Sequence, residues 1–257
     1  MPVPVYLAAN CKEIATFTGR AAVLGLGFLP DGGARIPACP LQGHMAVIDD
    51  AVLPQRVPEE TLDRLAARCG GGCCLDFLRT PGPVHRAVAQ GLQRRLGNIP
   101  MLLPAAYHAF APEALPVLSC LRPCNAWDGF VRSAERRFPN GWALELTPWA
   151  AELPAPPLPY PGGMLPAALC SCEKSPAGLR YFDTPESLRQ KLAHAAAHGC
   201  RCAIGLWQEL QPFFPEPARL FPVNQLAGLH SEHLLLRILF YPKLPLHIAM
   251  LRTACQR

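Results

Sequence analysis

Short apolar runs recur along the 257 residues, and several are followed by a segment with helical spacing. That alternation limits the fold more than any other feature. A strand covered on both faces reads as a continuous apolar run, and joining it to a parallel neighbour takes a crossover segment. The runs fall at 22–29, 45–48, 73–78, 99–103, 117–120, 142–147, 165–171 and 200–206. Between them, 59–69 reads as a helix. Pro58 suits its first turn, acids follow, and Leu62, Leu65 and Ala66 form a stripe. A second helix at 83–96 carries Val84, Val88, Leu92 and Leu96 at four-residue spacing and stops at Gly97. A third runs from 126 to 138, capped by Asn125 and ended by Asn140-Gly141. The fourth opens on Thr184-Pro185-Glu186, presents Leu188, Leu192, Ala195 and Ala196, and ends at Gly199.

Eight strands with helices between them predict an α/β fold, an irregular (β/α)8 TIM-type barrel. Segments 29–44 and 148–163 are too rich in proline and glycine for helices, so some crossovers are expected to be loops. An open doubly wound sheet is the alternative. Residues 1–215 are assigned to the barrel and 216–257 to a C-terminal helical extension. That extension has a helix at 224–240 and an end expected to be poorly ordered.

Composition narrows the function. Half of the residues are hydrophobic and 17% charged, which excludes a disordered chain. The net charge is +5, but the densest basic clusters are the dipeptides Arg94-Arg95 and Arg136-Arg137, so no nucleic-acid partner is expected. The start of the chain has no basic and apolar leader pattern, and no run of about 18 apolar residues exists, so neither export nor a membrane span is expected. The location expected by default is the cytoplasm. The twelve cysteines form no C-x-x-C pair at zinc-ribbon distance; they are expected to be buried free thiols rather than disulfides or metal ligands. His194 and His198 lie four apart on one helix but have no third ligand nearby, and are read as an exposed helix face. Gly25-Leu26-Gly27 lacks the third glycine of a dinucleotide loop, and there is no Walker A motif. No cofactor and no metal are expected.

In a barrel of this kind chemistry sits at the carboxyl ends of the strands. The polar residues at predicted strand ends are Asp49, Asp50, Asp76, Arg79, Tyr107, His108, Glu145, Glu173, Trp207 and Glu209. Asp76 lies between Leu75 and Phe77, and Glu145 between Leu144 and Leu146. A carboxylate in such a setting is costly unless it is paired or used. Carboxylates with flat aromatic faces suit a sugar, because acids protonate a glycosidic oxygen and rings stack on the sugar.

Residues 71–79, GGCCLDFLR, resemble the signature strand of the chitinase-like glycoside hydrolase family 18, D-x-x-D-x-D-x-E. Asp76 falls on the last aspartate of that motif. Gly71 and Cys74 fall on the first two aspartates, and Leu78 on the glutamate that serves as general acid. Gly205-Leu206-Trp207 is similar to the family's terminal strand, whose tryptophan floors the sugar site. The resemblance implies a carbohydrate-binding barrel, and Leu78 implies that the family's own acid is missing.

The residues assigned to chemistry are therefore Asp76, as acid or electrostatic stabiliser, and Glu145, as second carboxylate. Asp49, Arg79, Tyr107, Trp207 and Glu173 are assigned to the substrate, Arg79 as orienting partner and Trp207 as platform. A carboxyl separation of about 5 Å would suggest retention, and about 6.5–9.5 Å inversion. The alternative is a catalytically inactive glycan-binding or interaction protein, with the proline-rich 148–163 as a partner surface. An enzyme of phosphorylated small molecules ranks last, because no glycine-rich loop follows Trp207.

Overall fold

The structure is a computed structural model that describes residues 3–14, 20–39, 41, 43–120, 124–147, 151–153, 171–175, 178–183 and 185–210. Twelve strands are described. They are β1 (Val5–Ala9), β2 (Ala21–Phe28), β3 (Ala34–Arg35), β4 (Met45–Asp49), β5 (Cys73–Asp76), β6 (Met101–Pro104), β7 (Leu115–Ser119), β8 (Trp142–Leu146), β9 (Ala151–Leu153), β10 (Ser171–Ser175), β11 (Gly178–Phe182) and β12 (Cys200–Leu206). The helices are α1 (Cys11–Ile14), α2 (Glu59–Ala66), α3 (Pro83–Leu96), α4 (Cys124–Arg137), α5 (Pro185–Ala197) and α6 (Trp207–Leu210).

The main sheet runs β1-β12-β8-β7-β6-β5-β4-β2-β3, and β1 also pairs with β2. Its eight parallel strands thus close into a (β/α)8-type barrel, with β3 as a short antiparallel appendage to β2. The open-sheet alternative is set aside by that closure. Among the described residues two crossovers lack an α-helix, one of them in the proline- and glycine-rich segment 29–44. β2 reaches β4 through β3, and β6 reaches β7 through a single 3-10 segment, Ala105–Phe110.

Residues 6–118 form one compact unit. Its strands are covered by apolar side chains with almost no exposure, among them Ala22, Leu26, Ala46, Ile48, Leu75 and Leu102. α3 shows why its sequence is a helix. Pro83 fits the first turn, where an N–H would be unpaired anyway. Val88, Leu92 and Leu96 are buried, each contributing about 1.5–3 kcal/mol. Gly97 then turns the chain at φ 54°, its N–H returning to the Gln93 carbonyl at 3.2 Å. α2 is shorter than 59–69: it tightens after Ala66 into turns that end where the Gly72 N–H meets the Cys69 carbonyl at 2.9 Å.

The second unit holds the described residues among 3–5 and 119–210. β8 and β12 pair in parallel, with Cys200↔Trp142 and Gly205↔Leu146 in register, and Pro4 accepts the Ala203 N–H at 2.9 Å. β9, β10 and β11 form a separate antiparallel sheet in the order β10-β11-β9, inserted between β8 and α5.

Several expectations need correction. Of the segment 165–171, residues 165–170 lie outside the described residues and Ser171 opens antiparallel β10. The remaining barrel strand is β1, an apolar run behind Pro4 that reads too short to notice but is buried from Tyr6 onward. Segment 148–163, expected to be all loop, contributes strand β9 at Ala151–Leu153. Cys11 and Cys39 are disulfide-bonded, against the expectation of free thiols. Cys69, Cys73, Cys74, Cys120, Cys200 and Cys202 are free and buried, with Arg201 exposed between the last two. The extension 216–257, with its expected helix at 224–240, lies outside the described residues. No described helix is long and apolar enough to cross a membrane.

Candidate functional site

At the carboxyl ends of β4 and β5, Asp49 and Asp76 are register partners. Neighbouring strands lie about 4.8 Å apart, so two carboxylates end adjacent strands side by side. Asp49 is ion-paired with Arg35 of β3. The two glycines of β2 make that pair. Gly25 has φ 97° at a register shift between Val23 and Leu26, and its carbonyl accepts Arg35 Nε at 3.2 Å. Gly27 leaves the guanidinium its room, since a Cβ there would stand 2.7 Å from it. Gly25-Leu26-Gly27 is therefore a seat for Arg35, a residue that sequence reasoning missed; the spacing of the two glycines was its only trace.

Asp50, one residue further, is buried. Its carboxylate accepts the backbone N–H groups of Leu78 and Arg79, each at 3.0 Å, and meets His85 Nε2 at 3.0 Å. Three donors on one buried carboxylate fix the loop that follows β5. The His85 ring lies 5.1 Å from Phe77 and 5.3 Å from Tyr107, centroid to centroid. Tyr107 donates its hydroxyl to the Arg79 carbonyl, and the Arg79 guanidinium donates to the Ala51 carbonyl. Burial, and then the charges of Asp50 and Asp76, push the Tyr107 phenol well above its ordinary value. Asp76 itself is half-buried and Arg79 exposed. His85 went unread in the sequence because a histidine early in a helix carries no signal of its partner 35 positions back.

In the second unit, Glu145 is half-buried on β8, and its carbonyl accepts the Cys120 N–H at 2.9 Å. Trp207 does not end β12 but opens α6, and both it and Glu209 are buried. Glu173 is not at the end of a barrel strand: it sits within β10, opposite Arg180 of β11, because residues 171–182 fold as an antiparallel hairpin. Beside these lies a buried polar network absent from the sequence reading. Lys191 Nζ donates to Asp183 at 2.9 Å and to the Cys120 carbonyl at 3.0 Å, and stands 5.2 Å from the centre of the Trp127 ring. Asp183 also accepts Ser187 Oγ at 2.8 Å and Cys120 Sγ at 3.6 Å. Burial pushes the Asp183 carboxyl up, while Lys191 and Ser187 pull it back. Burial and Asp183 push the Cys120 thiol well up. His194 faces Asp128 at 3.5 Å and His198 faces Glu135 at 2.9 Å, so both join α5 to α4.

The closed parallel sheet and its connecting helices define the class of the fold, that of (β/α)8-type barrels. No family model matches the chain, and no curated protein matches its sequence. Among solved structures it is similar to the spore cortex-lytic enzyme SleL of Bacillus cereus, with a TM-score of 0.50 and 10% identity over 79% of this chain and 70% of that one. It is also similar to the SleL of Bacillus megaterium QM B1551, with a TM-score of 0.47 and 12% identity over 80% and 70%. At such identity the likeness concerns the fold.

Proposed function

We propose that this barrel acts on a carbohydrate as a glycoside-hydrolase-like protein. The observation that carries the reading is the pair of in-register carboxylates, Asp49 and Asp76, at the carboxyl ends of adjacent barrel strands. Arg35 engages Asp49, and Asp76, near enough to the buried Tyr107 phenol for its charge to raise it, is assigned to meet a glycosidic oxygen or a developing positive charge. Arg79 shapes the same loop through its bonds to Asp50, Ala51 and Tyr107. In the second unit, Glu145 on β8 and Trp207 are separate candidates, each to be assayed on its own. The SleL of Bacillus cereus, a spore cortex-lytic enzyme with a similar fold, is compatible with this reading.

Leu78 favours a second reading. It stands where the resembling motif has its acid and has no proton to donate, so the protein would bind a glycan without cleaving it.

The test is an incubation of the purified protein with chitin, peptidoglycan and β-glucan oligosaccharides, followed by mass spectrometry and paired with binding measurements. Cleavage lost in Asp76→Asn supports the enzyme; Glu145→Gln, assayed by itself, reports on the second carboxylate. Binding without cleavage, weakened by Asp76→Asn, selects the non-catalytic reading. Full activity of Asp76→Asn, or neither binding nor cleavage of any glycan, overturns the carbohydrate assignment.

A further inference from the structure

The Arg35–Asp49 pair hangs on very little secondary structure. β3 has two residues and pairs only through Gly27↔Arg35 and Phe28↔Ala34. Its turn is closed by the Leu29 N–H on the Gly33 carbonyl at 2.8 Å and the Gly32 N–H on the Leu29 carbonyl at 3.0 Å. A ribbon this short is marginal alone. The same segment runs on to Cys39, which is bonded to Cys11 at the start of α1, directly after β1. That start is itself fixed: Asn10 Oδ1 accepts the N–H groups of Lys12 at 3.0 Å and Glu13 at 3.2 Å, and Glu13 returns a carboxylate to the Asn10 N–H at 3.1 Å. The disulfide therefore ties the arm that delivers Arg35 to a capped helix start. Cys11 and Cys39 are half-buried, unlike the six buried free thiols, so a small dithiol can reach the bond.

We propose that the Cys11–Cys39 disulfide is a redox latch that keeps Arg35 on Asp49. It opens by exchange with a dithiol reductant. One reductant thiolate attacks a cysteine sulfur, the other cysteine leaves as thiolate, and the second reductant thiol then displaces the mixed disulfide. Two electrons and two protons pass to Cys11 and Cys39, and the reductant becomes its own disulfide. Once open, the arm keeps its two-residue pairing, its turn and the Thr61 hydroxyl on the Gly32 carbonyl at 2.7 Å, but the stretch after Arg35 loses its covalent tether, so Arg35 leaves Asp49 more often and the carboxylate beside Asp76 loses its cation. The effect of that release on a glycan rests on the function proposed above; the latch does not.

The experiment uses the full chain without denaturant, with and without dithiothreitol. It combines site-resolved alkylation with hydrogen exchange followed by mass spectrometry. The oxidised protein is expected to yield a linked Cys11–Cys39 peptide. Reduction is expected to make both thiols alkylatable and to speed exchange across residues 27–39 by about tenfold or more, with α3 unchanged. The double variant C11S/C39S should match the reduced wild type; should it not fold, the reduced wild type carries the test. Alkylatable Cys11 and Cys39 in the oxidised protein would overturn the proposal, as would exchange across 27–39 that ignores reduction. The glycan panel is a separate measurement, so failure of the latch and failure of the proposed function are told apart.

Discussion

Asp49, Asp50 and Asp76 look alike in the sequence and do different work. Asp50 is buried under three donors, so removing it strands two backbone N–H groups and a histidine. Asp50→Ala is expected to cost about 3–5 kcal/mol in urea unfolding, the range for breaking a buried charged network. Asp76 is half-buried at the rim, and Asp76→Asn should stay within about 1 kcal/mol of wild type while glycan cleavage or binding falls. Equal stability losses in the two variants would refute this division. Gly71 adds a steric point. A Cβ there would run into the backbone of His44, so the first aspartate of the resembling motif cannot be restored. Gly71→Ala is expected to lower stability by about 2–3 kcal/mol in the same assay. Leu78 is half-buried two residues beyond β5: Leu78→Glu should fold and raise cleavage in the glycan panel.

At the scale of elements, α5 is fastened by charge as well as by apolar contact. Its sequence shows the start at Pro185 and an apolar stripe, but nothing marks Lys191 as fully buried. Cys120 after β7, Asp183 after β11 and the Trp127 ring of α4 surround it. Lys191→Met leaves the Asp183 carboxylate buried without its cation and should cost about 3–5 kcal/mol. The double variant K191M/D183N should cost less than the sum of its singles, read from a double-mutant cycle by urea unfolding. Additive losses would show that the two side chains are not coupled. Helices and most barrel strands were legible because their periodicity is local. β1 and the hairpin of β10 and β11 were not. One is five residues behind a proline, and the other pairs residues whose alternation resembles a loop.

For the whole molecule, buried acids that bind their protons more tightly when folded set an alkaline limit. Burial pushes the Cys200 and Cys202 thiols from 9.0 up to about 12. A hydrogen bond with Cys69, then burial, raises Cys73, and Tyr107 is raised as well. Below pH 9 both folded and unfolded chains keep these protons. Above it the unfolded chain releases them first, so stability is present below pH 9 and falls as pH climbs through about 12. Urea unfolding at pH 8 and pH 10 should show the midpoint dropping; a flat profile would contradict the burial of these groups. In native protein at pH 8, iodoacetamide should leave the six buried thiols unmodified.

The amino-acid order alone determined the alternation of strands and helices, the α/β class and the strand-end position of Asp76, since each depends on neighbours within a few residues. Tertiary structure decided the rest. It closed β1 onto β2 and β12, joined Cys11 to Cys39, set Arg35 on Asp49 over two glycines, and assembled Asp50 with His85 and Lys191 with Asp183. The paired side chains lie 8 to 35 positions apart, and no local pattern records which side chain will neutralise which charge once water has been excluded.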